Sequence, residues 1–339
     1  MSLQPQPGVS LRPYNSFAVE ARAAWFVEVH DELELRAALD FARQQFLKVL
    51  VIGGGSNLLL TRDFDGLVVR MASLGRRILD EGEVGVLVEA EAGETWHPFV
   101  LWSLEQGLAG LENLSLIPGS VGAAPVQNIG AYGVELKDCF AGLTALNSES
   151  GELREFLPDE CGFAYRDSLF KRESGRWRIL RVRFLLSRTA RVNLEYGPVR
   201  ARLLADAIEA PTPKDVSRVI CAIRSEKLPD PAVLGNAGSF FKNPQVAAAL
   251  AARLAAQFPE LPAYPQEDGQ VKLAAGWLIE KAGWKGHREG DAGVHRLQAL
   301  VLVNHGAATG CELLSLARRI QHDIAERFGV DLEIEPNVL

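Results

Sequence analysis

The spacing of apolar residues predicts an alternating order of helices and strands in the first part of the chain. Residues 31–48 carry apolar side chains every three or four positions, which is the period of an amphipathic helix. The apolar, β-branched run at 49–52 follows at once and predicts a buried strand that ends in three glycines. These segments predict a β–α–β start with the glycines at the carboxyl end of a strand, where ligands usually bind.

Periodic segments continue along the rest of the chain, and their composition shifts near residues 198–213. Before the shift, the pattern predicts strands at 66–71, 84–90, 140–146, 177–186 and 191–196, and a helix at 95–106. After it, helical spacing dominates. The pattern there predicts a helix opened by Thr212, helices near 245–257 and 273–281, a long helix from Thr309 to Gly329, and strands at 298–303 and 330–335.

Two glycine-rich stretches interrupt this periodicity. Residues 49–60 read VLVIGGGSNLLL, and residues 113–133 read NLSLIPGSVGAAPVQNIGAYG. Glycine permits positive φ and lets backbone N–H groups approach an anion, so one interpretation is a site for a large phosphorylated ligand. The other is a glycine-rich surface loop held by turns. Neither a P-loop nor a Rossmann fingerprint is present, because three leucines follow Asn57.

Composition narrows the class of protein. The 339 residues are 47% hydrophobic, enough for two or three domains with their own cores. The net charge of −7 and the lack of a basic run argue against a nucleic-acid partner. The four cysteines are widely spaced, which predicts reduced, packed thiols and neither a zinc site nor a disulfide framework. The six histidines form no metal-ligand pattern.

The N-terminal residues lack the apolar core of a signal peptide, and no later run approaches the ~20 apolar residues of a membrane span. We therefore expect a cytoplasmic protein with no membrane partner. The first dozen residues are rich in proline and glutamine, which predicts poor order until Asn15.

Six motifs in order resemble those of the UDP-N-acetylenolpyruvoylglucosamine reductase (MurB) family, type I. They are NSF at 15–17, GGGSNLLL at 53–60, IPGSVGAAPVQNIGAYG at 117–133, YRDSLFK at 165–171, KLPDP at 227–231 and GNAGSFFKNP at 235–244. The resemblance implies an α+β fold. It implies an FAD-binding domain of the vanillyl-alcohol oxidase / p-cresol methylhydroxylase type at 15–210, made of two α/β subdomains. It also implies a C-terminal α+β substrate domain at 211–329 and a terminal strand at 330–339 that returns to the active-site cleft.

The family's reaction uses FAD and NADPH to reduce the enolpyruvyl group of UDP-N-acetylglucosamine enolpyruvate to UDP-N-acetylmuramate, in peptidoglycan precursor synthesis. The resemblance implies that NADPH and the UDP-sugar occupy one cleft in turn, and we expect a monomer. The FAD should be noncovalent, because neither glycine-rich stretch contains a histidine or a cysteine. Two alternatives are another FAD-dependent sugar or alcohol oxidoreductase of this fold and a non-catalytic sugar-nucleotide sensor.

Three residues are catalytic candidates. Without the resemblance, Arg166 would be half of a surface ion pair, Ser239 part of a tight turn, and Glu335 an exposed strand residue. The resemblance implies that Arg166 stabilises an enolate or holds a carboxylate, that Ser239 donates a proton to carbon, and that Glu335 works with Arg166. The sequence departs from the family pattern at Pro336, which stands in place of an aliphatic residue.

The resemblance also assigns binding residues. For FAD they are Gly53, Gly54, Gly55, Ser56, Asn57, Leu58, Ile117, Pro118, Gly119, Ser120, Gly122, Ala123, Gln127, Asn128, Gly130, Ala131 and Tyr132. For the substrate they are Tyr196, Lys227, Asn243 and Gln298. From the residues alone, each substrate candidate is an ordinary surface polar residue.

Overall fold

A computed structural model describes residues 3–189, 192–266 and 268–339 of the chain. Its α-helices are α1 (Glu32–Gln44), α2 (Trp96–Glu105), α3 (Leu169–Arg172), α4 (Gly197–Ala205), α5 (Pro213–Lys227), α6 (Ala248–Gln257), α7 (Ala275–Lys281) and α8 (Gly310–Phe328). Short 3-10 helices span Arg12–Tyr14, Glu112–Leu114, Val121–Gln127, Leu136–Asp138 and Pro158–Glu160.

Short strands connect and flank these helices. They are β1 (Gln6–Ser10), β2 (Arg22–Val29), β3 (Lys48–Ile52), β4 (Leu58–Leu59), β5 (Phe64–Met71), β6 (Arg76–Glu81), β7 (Val86–Glu91), β8 (Gly130–Ala131), β9 (Val134–Glu135), β10 (Phe140–Asn147), β11 (Leu153–Phe156), β12 (Trp177–Leu186), β13 (Gly235–Asn236), β14 (Gln245–Ala247), β15 (Ala263–Pro265), β16 (Gln270–Leu273), β17 (Arg288–Glu289), β18 (Ala292–Val294), β19 (Leu302–Asn304) and β20 (Asn337–Val338).

The chain folds into two compact units. The first unit contains the described residues up to Val9, Ala23–Gly54 and Phe64–Glu226, and the second contains Ser10–Arg22, Gly55–Asp63 and Lys227–Leu339. These limits differ from the domain boundary expected between 210 and 211. Helix α5 lies after that boundary but belongs to the first unit, because its buried face packs with the buried face of α4. The functional domains at 15–210, 211–329 and 330–339 stay a prediction.

One sheet of the first unit has the order β1-β2-β5-β3, and β5 pairs in parallel with both β2 and β3. Helix α1 buries its apolar stripe in the core of this sheet, as its periodicity predicts. Asp31 caps the helix by accepting from the Glu34 N–H at 2.8 Å. The helix ends at Gln44, earlier than the predicted end at residue 48. The side chain of Phe46 is 95% exposed, and its backbone is left-handed with φ of 55°.

The second sheet of the first unit has the order β11-β10-β12-β7-β6. Its core contains the alternating residues Val182, Phe184 and Leu186 of β12, which pack with Trp96 and Phe99 of α2. The strand β12 is confirmed at its predicted limits. The edge strands β6 and β11 were not predicted, because they are mostly exposed and carry little apolar alternation.

Two expectations about weakly patterned segments of the first unit need correction. Poor order before Asn15 is a wrong expectation for the described residues from 3 onward, because β1 forms an edge of the parallel sheet and the following Leu11 is 1% exposed. The strand predicted at 191–196 begins at Arg191, which lies outside the described residues. Residues 192–196 form no strand.

The second unit contains sheets of order β13-β19-β18-β17 and β14-β16-β15. Helix α8 supplies much of its core through the buried residues Leu313, Leu316, Ala317, Ile320, Ile324 and Phe328. A capping box of Thr309 and Glu312 opens α8, and Gly329 closes it in the left-handed conformation. Both ends of this helix agree with the prediction. Within the described residues, no helix combines the length and the hydropathy that a membrane crossing requires.

The strand predicted at 330–335 is wrong. Only Ile334 forms a bridge there, with Phe241, and the Glu335 N–H donates to the Phe240 carbonyl at 2.9 Å. After Pro336 the chain pairs instead with β4, in parallel, through β20. Proline has no N–H to continue the first pairing, so its position accounts for the end of that pairing.

The strand predicted at 298–303 is also shifted. A turn occupies its first half, in which the Val301 N–H donates to the Gln298 carbonyl at 3.1 Å. Pairing begins at Leu302 and ends at Asn304. The apolar run is buried in both conformations, so hydrophobicity alone does not separate the turn from the strand.

Candidate active site

The first two glycines of the triplet pack closely against the second glycine-rich stretch in the first unit. A Cβ atom at Gly53 would lie 2.0 Å from the Ser120 Oγ, and one at Gly54 would lie 3.2 Å from the Gly119 Cα. Only glycine allows this approach, because a side chain would fill the space. The four residues form a cradle, which we name the glycine cradle, of the kind in which backbone N–H groups face an anion.

The start of α2 holds the second stretch in place. The Trp96 N–H donates to the Gly119 carbonyl at 3.0 Å, and its indole donates to the Leu114 carbonyl at 2.9 Å. The Gly122 N–H donates to the Ala92 carbonyl at 2.9 Å, and a Cβ at Gly122 would lie only 2.5 Å from the Ala92 Cβ. The stretch is therefore a fixed element of the fold rather than a loose surface loop.

Several non-glycine residues of this stretch adopt the left-handed backbone. Leu116, Asn128 and Tyr132 have φ of 59°, 42° and 52°. Such conformations cost roughly 1–3 kcal/mol each and persist only where neighbouring contacts impose them. Three of the seven non-glycine residues with positive φ among the described residues thus lie in the second glycine-rich stretch.

Asn128 is one of the predicted FAD residues, but its side chain is fully buried. Its amide donates to the Ala164 carbonyl at 3.1 Å and to the Glu135 carboxylate at 2.9 Å, and its oxygen accepts from the Lys137 N–H at 3.0 Å. These contacts occupy the polar atoms of the side chain. Asn128 therefore stabilises the conformation of the stretch through buried hydrogen bonds.

Arg166 is docked on the second glycine-rich stretch. Its Nη2 donates to the Gly130 carbonyl at 2.9 Å, and a Cβ at Gly130 would lie 3.2 Å from its Nη1. Arg166 itself is left-handed, with φ of 54°, and its carbonyl accepts from the Lys171 ammonium at 3.0 Å. The strained backbone and the missing β-carbon at Gly130 together fix the place of the guanidinium.

The two carboxylates nearest to Arg166 in the ion-pair alternative both contact other arginines. Asp167 pairs with Arg172, and Glu160 pairs with Arg154 at 2.6 Å. Arg166 donates to the backbone carbonyl of Gly130.

Arg224 of α5 is a candidate that the sequence analysis missed. Its Nε is enclosed without a hydrogen-bond partner, and its side chain is hydrogen-bonded to the Tyr132 hydroxyl. Burial lowers the pKa of Arg224, and the charge of Arg166 lowers it further. Two guanidinium groups thus lie near each other, an arrangement that favours an anion. The available signal was the position of Arg224, one helical turn before the KLPDP motif.

Tyr196, a predicted substrate residue, precedes α4 and is 45% exposed. Its ring meets the Tyr132 ring edge to face, with centroids 5.2 Å apart. Burial raises the pKa of Tyr132. The structure therefore brings Tyr132, Tyr196, Arg224 and Arg166 into one neighbourhood of the first unit.

Ser239 lies in the second unit, on the tight turn that its flanking glycines predict. Gly238 is left-handed with φ of 69°, and its N–H donates to the Asn236 side chain at 2.9 Å. The Phe240 N–H donates to the Leu300 carbonyl at 2.7 Å. Ser239 itself is exposed between these two fixed residues.

Glu335 lies beside this turn, because its N–H donates to the carbonyl of Phe240, the residue after Ser239. Its side chain is half-buried. The neighbouring acid Glu333 is 69% exposed and forms an ion pair with Lys242. Of the two acids of the terminal segment, Glu335 lies beside the Ser239 turn through its backbone, and Glu333 contacts Lys242.

Two predicted substrate residues lie at the start of α7. The Asn243 side-chain oxygen accepts from the Ala275 N–H at 3.0 Å, and the Gln298 Oε1 lies 3.2 Å from where a Cβ of Gly276 would be. Lys227, at the end of α5, is exposed.

The remaining predicted FAD residues of the first stretch belong to the second unit. A Cβ at Gly55 would lie 2.0 Å from the Tyr14 carbonyl, and the Ser16 N–H donates to the Gly55 carbonyl at 3.1 Å. The third glycine of the triplet is thus required by its close approach to the backbone of Tyr14 and Asn15, at the start of the NSF motif. The Asn57 carbonyl accepts from the Asn337 N–H at 3.0 Å, so the terminal segment is joined to this stretch.

All four cysteines are free. Cys139 and Cys161 are buried, and burial raises both thiol pKa values, that of Cys161 to about 12. Cys221 is half-buried, but Cys311 is exposed, so packing of every thiol is a wrong expectation. Among the described residues, no group of three histidine, cysteine or acidic side chains is arranged to hold a metal ion.

Comparison with known proteins agrees with this architecture. A family model described as FAD binding domain matches residues 23–156, and one described as UDP-N-acetylenolpyruvoylglucosamine reductase, C-terminal domain, matches residues 230–339. A UDP-N-acetylenolpyruvoylglucosamine reductase of Pseudomonas fluorescens is 68% identical over 338 residues, which cover 100% of both chains. The chain belongs to the UDP-N-acetylenolpyruvoylglucosamine reductase family.

Other members of the UDP-N-acetylenolpyruvoylglucosamine reductase family match along the whole chain. A relative of that name from Chromobacterium violaceum is 55% identical and covers 100% of both chains. The crystal structure of the enzyme from Thermus caldophilus covers 99% of each chain, with a TM-score of 0.68 and 25% identity. The predicted α+β fold class, with an FAD-binding domain and a C-terminal domain, is confirmed, and so is FAD as the cofactor.

Proposed function

We propose that the chain is a UDP-N-acetylenolpyruvoylglucosamine reductase, also called UDP-N-acetylmuramate dehydrogenase. It uses NADPH to reduce UDP-N-acetylglucosamine enolpyruvate to UDP-N-acetylmuramate, a step of peptidoglycan precursor synthesis. The observation that carries this proposal is the identity of 68% along the full length of a relative of that name. The glycine cradle and the docked guanidinium of Arg166 support it independently.

The residues of the first unit fit a flavin dinucleotide. Gly53 and Gly54 pack closely against Gly119 and Ser120, so two glycine-rich segments meet here, and glycine-rich backbone of this kind can present N–H groups to a phosphate. When bound, FAD supplies the hydride chemistry between NADPH and the enolpyruvyl methylene carbon. The protein holds it, orients the substrate, excludes water and moves the proton.

Arg166 is proposed to stabilise negative charge on the substrate. A guanidinium presents a fixed fork that holds a carboxylate and favours the charge of an enolate. Its contact with Gly130 fixes the position of the fork before substrate binds, so little reorganisation is needed during the reaction.

Ser239 is proposed to donate the proton that the substrate carbon takes up after reduction. A hydroxyl is a weak acid, so this role needs accurate placement next to a strongly basic carbon. The fixed neighbours Gly238 and Phe240 supply that placement, since both backbone N–H groups are hydrogen-bonded.

Glu335 is proposed as the third catalytic residue, working with Arg166 on the developing enol. Its half-buried side chain and its backbone contact with Phe240 support the assignment. Glu333 is a weaker candidate because its carboxylate is paired with Lys242 at the surface.

Tyr196, Lys227, Asn243 and Gln298 are proposed to bind the UDP-sugar. NADPH and the UDP-sugar both carry a phosphorylated nucleotide, so we propose that they bind in turn at one place. A cytoplasmic location and a monomeric state belong to the same proposal.

Two half-reactions followed separately by stopped-flow absorbance test the function. In the absence of oxygen, NADPH should bleach the flavin, and the enolpyruvyl substrate should restore its colour. The Ser239→Ala variant should keep fast bleaching and lose most of the recolouring rate, because the proton is needed only in the second half.

If oxygen but not the enolpyruvyl substrate restored the flavin absorbance, the protein would be an oxidase and the proposed reductase function would be wrong. Equal losses in both half-reactions of Ser239→Ala would remove the proton-donor role.

A further inference from the structure

A closed ring of contacts surrounds the strained residue Leu116. The Leu116 N–H donates to the His97 Nδ1 at 3.0 Å, and the His97 Nε2 lies 3.9 Å from the Cys221 sulfur. The Cys221 thiol is hydrogen-bonded to Ser217, whose hydroxyl lies 2.7 Å from that of Ser115. Ser115 precedes Leu116 in the chain, so the ring closes. We name these five residues the clasp.

The clasp joins α2, α5 and the second glycine-rich stretch within the first unit. His97 comes from the first turn of α2, and Ser217 and Cys221 come from successive turns of α5. Ser115 and Leu116 lie directly before the IPGS segment that enters the glycine cradle. A contact on Leu116 therefore acts on the conformation of Gly119 and Ser120.

The hydrogen bond from Leu116 defines the protonation state of His97. A nitrogen that accepts a hydrogen bond carries no proton, so the proton of the neutral ring lies on Nε2, facing the Cys221 sulfur. Protonation would put a second donor on Nδ1, opposite the Leu116 N–H, and would break the contact. The left-handed φ of 59° at Leu116 would then lose its support.

We propose that His97 is a positioning residue for FAD that, as the neutral imidazole, holds Leu116 and thereby the glycine cradle in the binding conformation. Protonation of His97 releases the clasp and weakens FAD binding. The titratable and charged groups that face His97 from α5 are Cys221 and Arg224. Burial lowers the pKa of His97, and the charge of Arg224 lowers it further.

The direction of the pH effect follows from this arrangement. The pKa of His97 is lowered in the ordered clasp. FAD therefore binds most tightly when the pH is above the ordinary pKa of imidazole, and its affinity falls as the pH drops below that pKa. At pH 5.5 the Kd for FAD should be about five- to tenfold higher than at pH 7.5, which is the loss expected for one hydrogen bond.

Fluorescence titration of the flavin-free protein with FAD at pH 7.5 and 5.5 tests this. In His97→Asn the amide oxygen replaces Nδ1 as the acceptor but cannot be protonated, so its Kd should stay near the wild-type value at pH 7.5 at both pH values. His97→Ala should bind about fivefold more weakly at both. His30→Asn is the matched control: His30 faces Glu34 at the surface, so this variant should keep the wild-type pH dependence.

A double variant makes the test independent of whether any single variant folds correctly. Glycine adopts the left-handed conformation without strain, so Leu116→Gly in the His97→Ala background should recover most of the lost affinity. Equal pH dependence in wild type and His97→Asn, or no recovery with Leu116→Gly, would overturn the role of His97.

The inference rests on the FAD binding that the proposed function includes, and the same titration separates the two. A chain without FAD affinity at pH 7.5 would contradict the proposed function. Tight binding that does not change with pH would contradict only the clasp.

Discussion

Substitution of Gly53 by alanine tests the glycine cradle directly. The added Cβ would lie 2.0 Å from the Ser120 Oγ and 3.0 Å from the Ser120 Cβ, whereas non-bonded carbon atoms prefer about 3.5–4.0 Å. Ser120 is only 6% exposed and is tied to the start of α2 by its bridge with Thr95, so it has little room to move. We expect overpacking of about 1–3 kcal/mol, which is roughly a 5- to 150-fold rise in the Kd for FAD if the strain acts on binding.

A double-mutant cycle assigns the loss to this contact. Ser120→Gly removes both clashing atoms, so Gly53→Ala should cost much less in that background, with a coupling of about 0.5–3 kcal/mol between the two sites. Flavin fluorescence titration and thermal unfolding of the flavin-free protein measure both effects. Gly82→Ala is the control in the same unit, because the nearest atom to its added Cβ is 4.0 Å away. Unchanged FAD affinity in Gly53→Ala would refute the cradle.

Two further predictions concern the flavin and the terminal acid. Acid precipitation should release all of the flavin into the supernatant, and colour that stays with the denatured chain would contradict noncovalent binding. Glu335→Gln should retain FAD and its melting temperature but lose turnover by at least ~100-fold, the lower end of an acid–base contribution. Glu333→Gln should keep near-normal turnover, because Glu333 only pairs with Lys242 at the surface; the reverse order of the two variants would move the catalytic role to Glu333.

Local signals in the sequence were sufficient for the elements with strong periodicity. Helix α8 carries its own capping box and C-terminal glycine, and β12 alternates in step with a buried face, so both were predicted within a residue or two of their limits. The tight turn at Ser239 followed from its flanking glycines.

Features that depend on distant partners were not accessible in this way. The edge strand β1 has no apolar alternation and is defined by pairing with β2. The terminal segment is hydrogen-bonded to Phe240 at Glu335 and pairs with β4 after Pro336. Pro336 permits this change of partner, but no local pattern in the sequence specifies it.

The same limit applies to the candidate site. The motifs gave Arg166, Ser239 and Glu335 only through resemblance, since each residue taken alone has an ordinary surface explanation. Arg224 and His97 were not singled out as functional candidates, because their roles come from contacts with residues more than 15 positions away. Strain at Leu116 and Tyr132 is likewise a property of the folded backbone, which side-chain identity does not predict.

The most direct test of the proposed function is the consumption of NADPH by the purified, FAD-loaded protein in the absence of oxygen, with UDP-N-acetylglucosamine enolpyruvate as the only acceptor. We predict consumption that requires this substrate and forms UDP-N-acetylmuramate in equal amount, identified by mass spectrometry. Failure to form that product, with NADPH consumed only when oxygen is admitted, would contradict the reductase function.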